Sequence, residues 1–370
     1  MNDLFKPGRA AKPVPKGADP APVGDAYSAK DIEVLEGLEP VRRRPGMYIG
    51  GTDENALHHL AAEIIDNAMD EAVAGHADRI EVTLDAGNWL TVRDNGRGIP
   101  IDPHPKFPKL SALEVILTTL HSGGKFSGKV YETSGGLHGV GSSVVNALAE
   151  RLEVEVARDR VLWGHAFERG KPMQKLKNLG AVQNRRGTQL RFKPDPEIFG
   201  KLDFNPARLY RFCRSKAYLF RGVEIRWSCE AGLVAGSDTP TQAVLHFPGG
   251  LRDFLAASIE GKAVVVPAPW AGEATFPDGA GRCEWALTWL EYGEGFLSTY
   301  ANTIPTPQGG THEAGLRTAL VKGLRAYGEL KKDKRAAQVT AEDVLGGLAG
   351  MLSVFVREPQ FQGQTKDRLT

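Results

Sequence analysis

A glycine-rich segment ahead of a helical pattern offers the chemistry of anion binding. In SGGLHGVGSSVVNAL, Gly135, Gly136, Gly139 and Gly141 precede an apolar repeat with helical spacing. Amides exposed at glycines, together with a helix N-terminus, can bind phosphate oxygens. The segment is neither the GxxxxGK[ST] phosphate loop nor the strand-first dinucleotide pattern. By itself it is weak evidence for a nucleotide site.

A second segment carries polar side chains at every fourth position. They are His59, Glu63, Asn67 and Glu71 in HHLAAEIIDNAMDEAV, and apolar residues flank them. Residues four apart share one face of an α-helix, so the sequence predicts a single polar stripe. Taken alone, such a stripe is also typical of the solvent face of an amphipathic helix.

A third segment, RDNGRGIP, places Asp94 directly after a predicted strand. Gly96 and Gly98 would let the backbone approach a flat ligand closely, because glycine has no side chain. Asp-Asn-Gly is also a common hairpin turn. This segment alone therefore does not distinguish a binding site from a turn.

The elements that must position these segments follow from apolar periodicity and from helix breakers. We predict a helix from Asp31 that ends at Pro40, a loop over RRRPGMYIGG, and a second helix from Asn55 to Val73. Strands are expected at 79–84, 89–93, 152–157, 161–167 and 188–192, and a further helix at 111–120. Helices followed by a mostly antiparallel sheet, with the helices on one face, predict an α+β sandwich. A smaller α/β unit is expected from Thr241 onward.

Composition bounds the class of protein. The 370 residues are 41% hydrophobic and 25% charged, which suffices for a sizeable core and two domains. The 46 basic and 45 acidic residues nearly cancel, so contact with a polyanion would need a local patch. Three cysteines without CxxC spacing argue against a disulfide framework or a zinc site. The absence of a long apolar run or a signal-peptide core predicts a cytoplasmic protein without membrane contact.

Taken together and in this order, the motifs ExxxN, DxGxG and GxxGxG resemble the Bergerat fold of the GHKL ATPases, which include gyrase B subunits, Hsp90, histidine kinases and MutL. Longer matches resemble the B subunits of bacterial type IIA topoisomerases over residues 27–370: EVLEGLEPVRRRPGMYIG, EIIDNAMDEAVAGHA, TTLHSGGKFSGKVYETSGGLHGVG, TPQGGTHEAG and QTK. LEPVRRRPGMYIGG and NTIPTPQGGTHEAGLRTAL lean toward topoisomerase IV, with gyrase as the alternative. A kinase or chaperone of the same fold leaves TPQGGTHE and QTK unexplained.

This resemblance implies hydrolysis of ATP with Mg²⁺. Glu63 would be the general base, oriented by His59, and Asn67 would offer its amide oxygen to the metal. Gln364 and Lys366 of the QTK motif would reach the terminal phosphate. His59 also fits a capping or core histidine, and QTK also fits a disordered end. A clamp that binds nucleotide without significant turnover is the alternative to an ATPase.

The resemblance also implies how the rest of the nucleotide is recognised. Asp94 would accept a hydrogen bond from the adenine amino group, helped by the Thr188 hydroxyl. The residues that would wrap the phosphates or form the lid over them are Lys125, Tyr131, Gly136, Leu137, His138, Gly139, Val140, Gly141 and Ser142. Lys125 also fits a solvated loop lysine.

Inhibitors are implied at the same pocket. Ile99 would bound the adenine site, and aminocoumarin-type compounds would compete there with ATP, with Arg158 at the rim. Arg97 would lie near Glu71 and the adenine, either as a ligand contact or as a salt bridge.

Finally, the resemblance implies domains and an assembly. We expect a disordered tail over 1–24, a GHKL ATPase domain with an N-terminal arm over 25–240, and a transducer domain of S5-like fold over 241–370 that is truncated at its C-terminal end. Tyr27 in the arm would touch the nucleotide of the other protomer, so that ATP closes a homodimer. The expected partners are the topoisomerase IV protein that carries the catalytic tyrosine (its A chain), in a heterotetramer, and duplex DNA, at the nucleoid. Basic residues between Arg317 and Arg335 form a local patch that suits DNA or a solvated helix.

Overall fold

A computed structural model describes residues 32–124, 139–363 and 365–370. The α-helices are α1 (Glu39–Arg43), α2 (Gly46–Ile49), α3 (Glu54–Val73), α4 (Ala112–Thr118), α5 (Gly141–Leu148), α6 (Pro196–Phe199), α7 (Pro206–Leu219), α8 (Leu251–Ser258), α9 (Thr311–Leu330) and α10 (Ala341–Leu345). Short 3-10 helices occupy Ala231–Leu233, Pro277–Gly279 and Lys334–Gln338. The strands are β1 (Arg79–Asp85), β2 (Trp89–Asp94), β3 (Pro103–His104), β4 (Phe107–Ser111), β5 (Ala149–Arg158), β6 (Val161–Glu168), β7 (Lys171–Pro172), β8 (Lys177–Ala181), β9 (Gly187–Pro194), β10 (Glu224–Cys229), β11 (Gln242–Leu245), β12 (Trp270–Thr275), β13 (Gly281–Trp289), β14 (Phe296–Ala301), β15 (Ile304–Pro305) and β16 (Leu348–Val356).

In the described part of the chain, nine strands form the larger sheet, in the order β11-β10-β1-β2-β9-β5-β6-β7 with β8 also paired to β6. β1 pairs in parallel with β10, and the other pairings in this sheet are antiparallel. Alternate residues of β1 and β2 are buried, as expected when one face of a strand covers a core. Helix α3 packs on β1 and β2, α5 on β5, and α7 on β10. The predicted α+β sandwich with a mostly antiparallel sheet is confirmed.

A second sheet has the order β12-β13-β16-β14-β15 among the described residues. Its central strand β16 is buried at every position from 348 to 355, and α8 packs on β13 and β16. β11 belongs to the larger sheet although it follows residue 241. The domain bounds 25–240 and 241–370 stay predictions. No helix among the residues described is long and apolar enough to cross a membrane.

Local signals explain why the predicted helices begin where they do. The Asp53 side chain caps α3 by accepting from the Ala56 amide at 2.9 Å. Ser111 and Glu114 form a capping box at α4, with each side chain bonded to the other residue's backbone. The helices predicted at 55–73 and 111–120 and the five predicted strands are confirmed, with ends that differ by a few residues.

The expected helix from Asp31 to Pro40 is wrong. Residues 32–36 form neither helix nor strand, and α1 begins at Glu39 and places Pro40 in its first turn. Proline lacks an amide hydrogen, so it starts a helix as readily as it ends one, because the first-turn amides have no partner inside the helix. The predicted loop over RRRPGMYIGG also contains the one-turn helix α2.

Candidate functional site

Helix α3 brings the polar stripe to one wall of a cavity. Glu63, Asn67 and Glu71 line this cavity, and His59 lies one turn before Glu63. Apolar α3 residues beside the stripe, such as Leu60 and Ile64, are buried. The stripe is therefore the lining of a site and not a solvent face.

The cavity has a volume of about 520 Å³. It lies between α3, strands β2 and β9, helix α4 and the start of α5. Small-molecule sites are usually concave and largely apolar, with a few polar groups that fix the orientation of the ligand. This cavity has that form, because its polar groups are concentrated at two ends.

Asp94, the last residue of β2, is buried at one end of the cavity. Its Oδ1 accepts from the Gly96 amide at 2.8 Å and from the Thr188 amide at 3.3 Å. Burial raises the pKa of Asp94 to about 6; the two amides oppose this rise, and Glu71 adds to it. The Thr188 hydroxyl accepts from the Ile99 amide at 3.2 Å. This end therefore presents a buried carboxyl group to any N–H donor of a ligand.

Two glycines are required by close approaches inside the site. Gly187 has a φ of 101°, and a side chain there would collide with the backbone of Asp94. A side chain at Gly141 would collide with the carboxylate of Glu63. The glycines thus allow the sheet and α5 to approach the carboxylates directly.

Arg97 forms a salt bridge with Glu71. Its guanidinium donates to both carboxylate oxygens, at 2.7 and 3.2 Å, and its backbone amide donates at 3.0 Å. A bidentate pair of this kind fixes the arginine in place. The salt-bridge alternative is therefore favoured over a dedicated ligand contact, although both side chains line the cavity.

Arg158 lies where the rim was predicted. Its Nη1 donates to the Gly98 carbonyl at 3.0 Å, and its side chain lines the cavity. Gly98 follows the DNG segment, so this hydrogen bond holds that segment against the end of β5.

At the other end, the start of α5 faces α3. Gly139, Val140, Gly141 and Ser142 line the cavity, and α5 begins at Gly141. The Asn67 side-chain nitrogen donates to the Ser142 hydroxyl at 3.0 Å. The helix N-terminus and the amides before it are the groups that bind phosphate oxygens in other proteins.

Lys366 reaches this same end from the opposite end of the chain. Its Nζ lies 3.6 Å from Glu63 Oε1, and His59 Nε2 lies 3.4 Å from the same oxygen. Burial lowers the pKa of Lys366, but the carboxylates of Glu63, Asp66 and Asp70 outweigh it, so the pKa lies above its ordinary value. A charged lysine, a carboxylate and an imidazole therefore meet beside the α5 N-terminus.

Some predicted site residues lie outside the described residues. They are Tyr27, Lys125, Tyr131, Gly136, Leu137, His138 and Gln364. Their roles stay predictions.

The sequence analysis missed part of the site. The apolar wall formed by Ala112, Val115 and Ile116 of α4 carries no signal beyond ordinary helical spacing. Asp66 pairs with the buried Lys216 at 2.6 Å, a contact between residues 150 positions apart in the sequence. No local pattern points to either feature.

Solved structures match nearly the whole chain. The ATPase domain of Thermus thermophilus gyrase B, in complex with an aminocoumarin, is 37% identical with a TM-score of 0.73, over 90% of this chain and 84% of that one. The ATP-binding domain of Francisella tularensis topoisomerase IV, in complex with a small-molecule inhibitor, is 36% identical with a TM-score of 0.72, over 91% and 86%. The chain belongs to this family of topoisomerase ATPase domains.

Family models locate the topoisomerase ATPase match along the chain. Residues 52–198 match the histidine kinase-, DNA gyrase B- and HSP90-like ATPases, and residues 250–370 match DNA gyrase B. The predicted GHKL family is confirmed, and with it ATP binding by the fold.

Relatives of this topoisomerase ATPase chain decide its subclass. The topoisomerase IV B protein (ParE-type) of Caulobacter vibrioides is 58% identical over 349 residues, and that of Escherichia coli K12 is 45% identical over 347. Each match covers 93% of this chain but only 50% and 53% of the relative. The lean toward topoisomerase IV is confirmed, and the chain spans about half the length of the curated relatives it matches.

Proposed function

We propose that this chain hydrolyses ATP in the cavity between α3 and α5, as the nucleotide-driven part of the ATPase subunit of topoisomerase IV. The observation that carries the proposal is the meeting of Glu63, His59 and Lys366 at one end of the cavity, with the buried Asp94 at the other. Asp94 would accept from the adenine amino group, and the terminal phosphate would lie beside Glu63.

Each group at the phosphate end has a distinct task. Glu63 would take a proton from the attacking water, and His59 would hold the carboxylate in place. Lys366 would stabilise the negative charge on the terminal phosphate oxygens, and the amides from Gly139 to Ser142 would bind the phosphates before it.

The polar atoms near Asn67 suit Mg²⁺. Magnesium is usually held by few protein oxygens together with phosphates and water. Among the described residues there is no group of three or more His, Cys, Asp or Glu side chains that could hold a metal ion, so the nucleotide would supply much of the coordination. The Asn67 nitrogen donates to Ser142, and we propose the amide oxygen as the protein ligand. The ion would neutralise phosphate charge during hydrolysis.

For the full-length protein we propose ATP-driven dimerisation through the N-terminal arm, with Tyr27 on the partner's nucleotide, and capture of duplex DNA together with the tyrosine-bearing A chain of topoisomerase IV at the nucleoid. The test is reconstitution of the full-length protein with that A chain. We expect decatenation of linked circles and relaxation of supercoils, each dependent on ATP. ATP-dependent negative supercoiling would identify a gyrase instead.

Aminocoumarin-type inhibitors are expected to compete with ATP. The T. thermophilus relative was solved with an aminocoumarin, and the pocket bounded here by Asn67, Asp94, Ile99 and Thr188 with Arg158 at its rim is the corresponding cavity. In calorimetry, a non-hydrolysable ATP analogue should raise the apparent Kd of the inhibitor in proportion to its own concentration. Independent binding of both ligands would contradict a shared pocket.

The basic patch on and after α9 supports contact with DNA. Lys322, Lys331 and Lys332 are exposed, whereas Arg317 is paired with Glu313 and Arg335 with Asp333. Exposed lysines can neutralise DNA phosphates without reading sequence, and such binding weakens with salt by a slope of about 0.9 per phosphate. We propose that these lysines meet the captured duplex.

The variant Lys322→Glu with Lys331→Glu should reduce stimulation of the ATPase by DNA in the full enzyme and leave turnover without DNA intact. It avoids Arg325, which donates to the Val339 carbonyl at 2.8 Å and holds the end of α9. The matched control, Lys175→Glu with Lys177→Glu, makes the same charge change on exposed residues of the larger sheet. Equal stimulation of both variants at low salt would show that the patch does not bind DNA.

A further inference from the structure

Lys216 on α7 is a fully buried lysine outside the cavity. Its Nζ lies 2.6 Å from Asp66 Oδ1 and donates to the Thr303 carbonyl at 2.7 Å. A buried charge is costly unless it is paired and hydrogen-bonded, and both conditions are met here. The position of this ammonium group is therefore fixed by two acceptors from different parts of the fold.

The first acceptor belongs to the catalytic helix. Asp66 lies on α3 between Glu63 and Asn67 in the sequence, but it does not line the cavity. Its carboxylate faces Lys216 from behind the wall that carries the proposed base.

The second acceptor belongs to the tight turn between β14 and β15. Asn302 and Thr303 in this turn are buried and have φ values of 49° and 66°. The Asn302 side chain donates to the Val356 carbonyl at 2.9 Å and accepts from the Val356 amide at 2.8 Å. Val356 ends β16, ten residues before Lys366, so the turn that Lys216 holds also holds the strand that leads to Lys366.

Asp66 and Glu63 are two carboxylates close to one lysine. Burial lowers the pKa of Lys366, and the carboxylates of Glu63, Asp66 and Asp70 together outweigh it. An unpaired Asp66 would compete with Glu63 for the Lys366 ammonium, because an opposite charge in a dry interior attracts strongly. Lys216 removes that competition by pairing with Asp66.

We propose that Lys216 is a positioning residue for Lys366. By occupying Asp66 and anchoring the 302–303 turn, it leaves the Lys366 ammonium beside Glu63, directed to the phosphate end of the cavity. The inference rests on the proposed contact between Lys366 and the terminal phosphate.

The test compares affinities for ADP and for a non-hydrolysable ATP analogue, because the Kd for ADP divided by the Kd for the analogue isolates the terminal phosphate. In Lys216→Met, ADP affinity should stay at the parent value, and this ratio should fall by about ten-fold or more, the effect of losing a hydrogen bond to a charged group. Adding Asp66→Asn removes the unpaired carboxylate. The double variant should return to within about two-fold of the parent ratio, the usual error of such cycles.

Two further variants separate the outcomes. Lys193→Met breaks a 2.7 Å ion pair with Glu150 outside the cavity and should leave the ratio unchanged. Lys366→Met should lower the ratio itself; if it does not, the proposed phosphate contact fails and this inference fails with it. If Lys366→Met lowers the ratio but Lys216→Met does not, only the inference is wrong. Parallel loss of ADP and analogue affinity in Lys216→Met, not restored by Asp66→Asn, would show a structural role alone and overturn the proposal.

Discussion

Glu63→Gln is expected to lower the rate of ATP hydrolysis by about 10² or more, because general-base catalysis contributes roughly 10² to 10⁴. Glutamine keeps the size of the side chain but cannot take the proton from water. ATP affinity should change little, since Asp94 and the α5 amides would still hold the nucleotide. Steady-state turnover and calorimetry on the same protein preparation provide the two measurements.

Glu54→Gln is the matched control for this variant. Glu54 lies on the same helix but is exposed in its first turn, so its turnover should equal that of the parent. A Glu63→Gln protein that hydrolyses ATP at the parent rate would exclude Glu63 as the base. If the variant retains dimer closure and DNA capture without hydrolysis, turnover is not needed for those steps; a parent protein without significant turnover would favour the clamp alternative.

Asp94→Asn is expected to weaken ATP binding by about 1.5 to 3 kcal/mol, the range for a lost hydrogen bond to a charged group. The parent should also lose affinity as the pH falls through about 6, since the pKa of Asp94 is raised to about 6 and only the ionised carboxylate makes a charge-assisted bond to the adenine amino group. The variant should show no such pH dependence between about pH 5 and 8. Calorimetry over this range tests both statements.

The stability of the free protein distinguishes this effect from unfolding. The pKa of Asp94 is higher in the folded state, so the folded protein binds the extra proton and loses stability as the pH rises from about 4 to about 6. Above that window the ionised, buried carboxylate remains a cost, so Asp94→Asn should be at least as stable as the parent at about pH 7.5. The control Asp85→Asn, at the half-exposed end of β1, should keep the parent affinity. Unchanged ATP affinity in Asp94→Asn would exclude the adenine contact.

Secondary structure followed the sequence where a short window contains its own signal. Strands β1 and β2 alternate in burial as their residues alternate in polarity, and α3 begins at an aspartate cap. The error at 31–40 has a local cause as well. A proline marks a helix boundary without saying which side the helix lies on, and α1 begins where the predicted helix was expected to end.

The candidate site followed the sequence only in part. The stripe of Glu63 and Asn67, and Asp94 after its strand, were set by local spacing, and the resemblance assigned their roles. The same spacing could not decide between a solvent face and a cavity wall, because that depends on what packs against the helix. The guanidinium of Arg97 was decided by tertiary contact too, since the nearby Glu71 carboxylate binds it at both oxygens.

What the sequence determined by itself is therefore the set of chemical groups and the face of each element that carries them, since these follow from the roughly 3.6- and 2-residue periods of helices and strands. Only the tertiary structure decided that Lys366 meets Glu63 and that Lys216 meets Asp66. These partners are separated by 303 and 150 positions along the chain. No window of local pattern spans such distances, because the contacts exist only after two sheets have formed and packed.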